Sequence, residues 1–138
     1  IMAEDDMKNV VLLRGLAREK RHWGSFPKHL KSQPWVNEVV CLDNPGFGDQ
    51  SDEITPLTIL EHTNDIRRRW REHSECQAPS VLLGHSLGAM IGMDWMARFP
   101  DDFEKGIFLN SSSASTSKLW ERLRLQSTPL FLKILATQ

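Results

Sequence analysis

The sequence predicts an α/β fold: a three-layer sandwich in which helices cover both faces of a mostly parallel sheet of about four strands. Short apolar runs with the character of strands alternate along the 138 residues with longer segments whose apolar residues recur at helical spacing. The first two runs end in turn signals that contain glycine. A chain of this length fits one domain with a core of its own.

The strands are predicted from apolar runs bounded by polar or turn residues. They are Val10–Leu13, Val36–Leu42, Ser80–His85 and Lys105–Asn110. The second run is followed at residues 43–48 by Asp-Asn-Pro-Gly-Phe-Gly, in which proline and glycine favour a tight turn. Each of the other runs also passes into a polar or glycine-containing segment. These segments limit the length of the four runs, and that length is typical of strands in globular proteins.

The helices are predicted between these strands. Trp23–Lys31 has to end before Pro34, and Leu57–Ser74 has an inward stripe made by Ile59, Thr63, Ile66 and Trp70. Ala89–Phe99 is closed by Pro100, and the residues that share one of its faces are Met90, Met93 and Ala97. After a serine-rich loop at residues 111–117, leucines predict two amphipathic helices broken at Pro129.

Composition excludes several classes of function. The net charge is −1, so no strong attraction to nucleic acid or to a membrane surface is expected, and no apolar run approaches a membrane span. An arginine cluster at residues 67–71 surrounds Trp70, and a solvated helix face with this tryptophan turned inward is favoured over a phosphate-binding patch. Cys41 and Cys76 lack metal-ligand spacing and are interpreted as reduced thiols. With no signal-peptide pattern at the N-terminus, a cytoplasmic protein is expected.

The segment Gly84-His85-Ser86-Leu87-Gly88 joins a predicted strand directly to a predicted helix. A serine in such a tight turn is held above the sheet edge in a strained conformation, and flanking glycines remove Cβ atoms that would clash. The backbone N–H of Leu87 would then lie at a helix N-terminus, where negative charge is favoured. Ser86 is therefore the candidate nucleophile. His85 should point away from it, and His29, His62 and His73 are expected on helix surfaces.

Three motifs in the same order resemble the N-terminal part of an α/β-hydrolase-fold enzyme. The first is Leu13-Arg14-Gly15-Leu16 followed by His22-Trp23, and the second is the loop at residues 42–51, similar to the family's Asp-x-Pro-Gly-x-Gly-x-Ser. The third is the turn at Ser86. The resemblance implies that the first strand lies between the second and third, and that the backbone N–H groups of Leu16 and Leu87 form the oxyanion hole.

The same resemblance implies a core at residues 1–110 and the start of a helical cap at residues 111–138. In the family the acid and then the histidine of the triad follow the nucleophile, yet no histidine follows Ser86 in these 138 residues. The sequence thus resembles a truncated hydrolase core that ends inside its cap, and little activity is expected of it alone. The fourth strand would be left as an apolar edge, which predicts a homodimer or a domain swap.

Two further residues are candidates for contact with substrate. Arg14 stands where many members of the family have histidine, so it could bind a substrate carboxylate; alternatively it could pair with Asp43 or another acid and brace the loop, which is the favoured interpretation. His22 lies beside the predicted oxyanion segment, where it either packs with Trp23 or contacts substrate.

The resemblance implies a serine hydrolase that acts on a small-molecule ester, thioester or amide through an acyl-enzyme at Ser86, without a cofactor or a metal. Two alternatives stay open. One is a non-catalytic binding module that keeps the turn for structural reasons. The other is a different chemistry of the same fold: carbon–carbon bond hydrolysis, a lyase or a haloperoxidase reaction.

Overall fold

The computed structural model describes residues 7–16, 18–73 and 80–109. Within them four strands form one parallel sheet: β1 (Lys8–Leu13), β2 (Val36–Leu42), β3 (Ser80–His85) and β4 (Lys105–Leu109). The order across the sheet is β2-β1-β3-β4. This confirms the predicted fold class and the predicted place of the first strand between the second and third. The chain order reverses between β1 and β3, and open α/β sheets bind ligands at such a point.

In the part of the chain that the structure describes, three α-helices accompany the strands: α1 (Phe26–Lys31), α2 (Ile59–Arg71) and α3 (Leu87–Arg98). Short 3₁₀ turns lie at Lys20–Trp23 and Gly48–Gln50. β2 and β3 match their predicted bounds residue for residue. The helix predicted from Trp23 begins only at Phe26, because Gly24 has a φ of 58° and separates the 3₁₀ turn from α1.

The sheet is covered on both faces, which makes the three layers. Alternate residues of β1 point to opposite sides, so that Val11 and Leu13 face α2 and α3 while Val10 and Leu12 face α1. On the first side Trp70, Trp95 and Phe103 pack together, with ring centroids 4.9 to 5.4 Å apart. The other side is filled by residues of α1 and its neighbours, among them Trp23, Phe26, Leu30 and Trp35.

The inward stripe predicted for α2 is confirmed, since Thr63, Ile66 and Trp70 are buried and Ile59 packs partly against them. The helix begins with a capping box in which Thr58 Oγ1 accepts from the N–H of Glu61 and a Glu61 carboxylate oxygen accepts from the N–H of Thr58. The surface position expected for His62 is wrong, because its side chain is 4% exposed. His62 lies four residues before Ile66 and therefore on the same helix face.

The face predicted for α3 is correct only in part. Met93 is buried, but Met90 and Ala97 are half-buried, and the contacts with the large core are made by Ile91, Trp95 and Met96. Nearly every side of α3 is apolar, so the spacing of its methionines does not define the packed face.

Ion pairs occupy the arginine cluster on α2. Arg67 pairs with Asp102, Arg68 pairs with Asp65 and Glu72, and Arg69 also pairs with Asp65. Arg68, at 61% exposed, fits the solvated helix face that was favoured for the cluster, but Arg67 and Arg69 are only 21% and 12% exposed. Trp70 is turned inward as predicted.

β2 and β4 are the outer strands of the described sheet. On β4 the side chains of Ile107 and Leu109 are 37% and 47% exposed. Self-association through this edge stays a prediction, and the predicted cap with the preceding Asn110 lies outside the described residues, as does Cys76. Over the described ranges, no helix has both the length and the apolar character needed to cross a bilayer.

Candidate active site

Ser86 lies at the junction of β3 and α3, immediately after His85 and before Leu87. Its φ is 57° and its ψ is −117°, and among the described residues it is the single non-glycine residue with a positive φ. The Ser86 N–H donates to the Leu109 carbonyl at 2.9 Å, and the Ser86 carbonyl accepts from the Ala89 N–H at 2.9 Å. A non-glycine residue held in this region costs about 1–3 kcal/mol, which the surrounding structure has to offset.

The glycines on either side of Ser86 are required by close backbone packing. A Cβ on Gly84 would lie 2.6 Å from the carbonyl carbon of Gly88. A Cβ on Gly88 would lie 2.7 Å from the carbonyl carbon of Leu13 and 2.8 Å from the Arg14 carbonyl oxygen. Since no real Cβ comes this close to backbone atoms, Gly88 allows the first turn of α3 to rest directly on the end of β1.

The backbone around Gly15 borders the Ser86 side chain. A Cβ built on Gly15 would be 3.1 Å from Ser86 Cβ and 3.5 Å from Ser86 Oγ. Leu16 follows at once, with a side chain that is 61% exposed. Leu87 is the first residue of α3, so its N–H has no acceptor within the helix and carries the partial positive charge of the helix start. The serine hydroxyl therefore lies near the segments that carry both predicted oxyanion donors, whose role stays a prediction.

Asp43 and Asn44, which follow β2, hold the segment after β1 in position. The buried Asp43 carboxylate accepts from the N–H of Lys20 at 2.6 Å and from the N–H of Asp49 at 3.0 Å. The Asn44 amide donates to the Arg14 carbonyl at 3.2 Å. Sequence reasoning did not assign these positioning roles, although an acidic residue at the carboxyl end of a parallel strand, before a Pro-Gly turn, was a signal for them.

Arg14 does not form the ion pair with Asp43 that the favoured interpretation named. Its guanidinium stacks on the ring of Trp23, with the guanidinium carbon 4.7 Å from the ring centroid. The Arg14 Nε atom is buried and has no hydrogen-bond partner, and the same is true of Trp23 Nε1. Burial, together with the charge of Arg18, lowers the pKa of Arg14. Even so, an arginine stays charged in proteins.

His22 lies in the 3₁₀ turn at Lys20–Trp23 and is exposed to solvent. Its Nδ1 accepts from the N–H of Glu19 at 2.9 Å, while the Glu19 backbone carbonyl accepts from the N–H of His22 at 2.9 Å. This reciprocal capping gives His22 a structural role at the turn. Contact with substrate stays a prediction.

Two other residues near the sheet have side chains that can carry chemistry, His85 and Cys41. His85 is half-buried, and its Nδ1 is enclosed without a hydrogen-bond partner. Cys41 is a free cysteine beside a cavity of about 280 Å³ that Ser86 does not line. Burial raises the pKa of the Cys41 thiol, so the thiol stays protonated at neutral pH and is a poor nucleophile.

Comparison with known proteins assigns the family. The model of the alpha/beta hydrolase fold family matches residues 8–136, nearly the whole chain. The chain therefore belongs to the alpha/beta hydrolase fold family. It is 28% identical over 126 residues to the biotin biosynthesis bifunctional protein BioHC of Teredinibacter turnerae, a match that covers 90% of this chain and 18% of that protein.

Solved structures agree with this assignment. A marine microorganism esterase superposes with a TM-score of 0.64 and 18% identity, over 81% of this chain and 43% of that one. The RedJ thioesterase of the prodiginine pathway in Streptomyces coelicolor superposes with a TM-score of 0.62 and 17% identity, over 72% of this chain and 37% of that one. Identities this low show the fold alone. The chain spans less than half the length of each of these proteins. Membership of this family supports a hydrolase at the level of the family.

Proposed function

We propose that this chain carries the nucleophile and the oxyanion hole of a serine hydrolase that cleaves a small-molecule ester, thioester or amide. The observation that carries the proposal is the φ of 57° at Ser86. If the turn served packing alone, glycine would adopt it without strain, whereas serine costs about 1–3 kcal/mol there. The strain is explained when the hydroxyl itself is needed.

The proposed reaction has two steps. Ser86 Oγ attacks the substrate carbonyl carbon and loses its proton to a base, while the electrons of the C=O double bond move to the oxygen. The N–H groups of Leu16 and Leu87 stabilise that oxyanion, a contribution of about 3 kcal/mol per donor. The carbonyl re-forms, the bond to the leaving group breaks, and the leaving group takes the proton from the base. Water then hydrolyses the acyl-enzyme by the same route and frees Ser86.

No histidine of the given sequence follows Ser86, where the family places the base. The five histidines all precede Ser86, at positions 22, 29, 62, 73 and 85. His22 is engaged at its own turn and His62 is buried in the contact of α2 with the core. The chain covers less than half of its relatives, so the base and its acid are sought in the complete gene product.

The cytoplasmic compartment stays a prediction from the sequence.

Labelling with a fluorophosphonate tests the proposal. The complete gene product should be labelled at Ser86, and Ser86→Ala should remove the label. Ser51→Ala is the matched control, because Ser51 is an exposed serine with an ordinary φ of −61°. Absence of labelling in a folded wild-type protein would favour the non-catalytic binding module instead.

A further inference from the structure

Two buried hydrogen-bond donors without acceptors lie together where the chain leaves β1. They are Nε of Arg14 and Nε1 of Trp23, and the guanidinium of the first stacks on the ring of the second at 4.7 Å. A buried donor without a partner costs roughly 1–3 kcal/mol, and more when it is charged. Such an arrangement is unusual in a folded protein, where buried donors are paired with protein groups, ordered water or a bound ligand.

The acids of the neighbouring loops are engaged elsewhere. Asp43 accepts from two backbone N–H groups, Asp49 pairs with Lys20, and Glu19 pairs with Arg21. No ion pair of Arg14 with any carboxylate of the described residues is found. The charged group that acts on the pKa of Arg14 is Arg18, whose like charge adds to the effect of burial.

The position of Arg14 connects this pair of donors to the proposed reaction. Arg14 directly precedes Gly15, whose added Cβ would be 3.5 Å from Ser86 Oγ. Consecutive Cα atoms are about 3.8 Å apart, so the Arg14 backbone lies one residue from the segment that borders Ser86 Oγ. Its backbone is also held, because the Arg14 carbonyl accepts from the Asn44 amide at 3.2 Å. A guanidinium fixed in this way presents a planar fork of donors that fits a carboxylate in two-point contact.

We infer that Arg14, stacked on Trp23, binds a carboxylate of the substrate, and that the preferred substrates are half-esters of dicarboxylic acids. The inference rests on the proposed function, since it concerns the substrate of Ser86. The guanidinium supplies two hydrogen bonds and a full positive charge, and the Trp23 ring keeps its plane fixed. Arg14 is thus a specificity-determining residue, and it has no part in the covalent step.

The test compares two esters of equal acyl length in the complete gene product: mono-4-nitrophenyl glutarate, which ends in a carboxylate, and 4-nitrophenyl valerate, which ends in a methyl group. The measured quantity is the ratio of their kcat/KM values. The wild-type protein should favour the glutarate by about tenfold or more, as expected for a hydrogen-bonded charge pair. Arg14→Gln should bring the ratio near one, and Arg14→Lys should keep part of the preference because it keeps the charge.

Arg68→Gln is the matched control. Arg68 is exposed on α2 and already pairs with Asp65 and Glu72, so its loss should leave the ratio at the wild-type value. A structural role of Arg14 would lower kcat/KM for both esters and leave their ratio unchanged. That result, or a wild-type protein with no preference for the glutarate, would overturn the inference.

The Ser86→Ala variant separates this inference from the proposed function. If Ser86→Ala hydrolyses both esters as fast as the wild type, the proposed function is wrong. If hydrolysis needs Ser86 but shows no charge preference, only the inference about Arg14 is wrong. Where turnover is too slow to measure, calorimetric titration of Ser86→Ala with monomethyl glutarate replaces it. Binding that Arg14→Gln weakens about tenfold supports the inference, and the absence of binding contradicts it.

Discussion

Replacing Ser86 by glycine should stabilise the fold while it removes the proposed reaction. The φ of 57° strains any residue that has a Cβ, at a cost of about 1–3 kcal/mol, and glycine relieves this strain. Glycine also makes the unfolded chain more flexible, which offsets about 0.4–1 kcal/mol of the gain. Relative to Ser86→Ala, which lacks the hydroxyl but keeps the strain, Ser86→Gly should therefore be more stable by about 0.5–2 kcal/mol.

Urea unfolding of the complete protein measures this difference. With a denaturant slope of about 1–3 kcal/mol per molar urea, a gain of 1 kcal/mol moves the midpoint upward by roughly 0.3–1 M. The control pair is Ser51→Gly and Ser51→Ala, because Ser51 has a φ of −61°. There glycine should be the less stable variant, by about 0.5–1 kcal/mol. If Ser86→Gly is no more stable than Ser86→Ala, the turn holds no strain of this size and the argument for a functional hydroxyl fails.

Two further predictions concern the framework around the site. Asp102→Asn should destabilise the protein by about 1.5–3 kcal/mol, which would lower the urea midpoint. The reason is that this carboxylate accepts hydrogen bonds from Arg67 at 2.7 and 3.3 Å and from Trp95 Nε1 at 2.8 Å. The control is Asp101→Asn, which should leave the midpoint unchanged because Asp101 is exposed. Burial lowers the pKa of His62, so its contribution to stability is present above the ordinary pKa of 6.5 and is lost as pH falls through the lowered value. His62→Gln should make the midpoint fall less between about pH 7.5 and pH 5, and equal falls in the two proteins would contradict this.

The strands could be predicted closely because their signals are local. β2 lies between Pro34 and the turn at residues 43–48, and β3 ends at the serine turn, so composition defines both limits. The start of α1 could not be placed in the same way. It depends on the positive φ of Gly24, and glycine is compatible with both a helix and a turn.

Within the site, local sterics and tertiary contacts differ in how well the sequence predicts them. The turn at Ser86 could be predicted because Gly84 and Gly88 are demanded by atoms within a few residues or at the adjacent strand end. The partners of Arg14 could not. Whether it meets Asp43 depends on how the loop after β2 folds, and there the backbone N–H groups of Lys20 and Asp49 occupy the carboxylate.

The contact of Gly88 with the end of β1 has a consequence for how specificity could evolve. Gly88 sets the first turn of α3 against Leu13, and the Asn44 amide holds the Arg14 carbonyl through a hydrogen bond. The position of the Ser86 hydroxyl and of the backbone N–H groups next to it is thus fixed by contacts with the end of the sheet. Substitutions in loops farther from Ser86 can then change the proposed substrate preference without disturbing the geometry at Ser86, so new specificities can arise on this scaffold while the proposed chemistry is preserved.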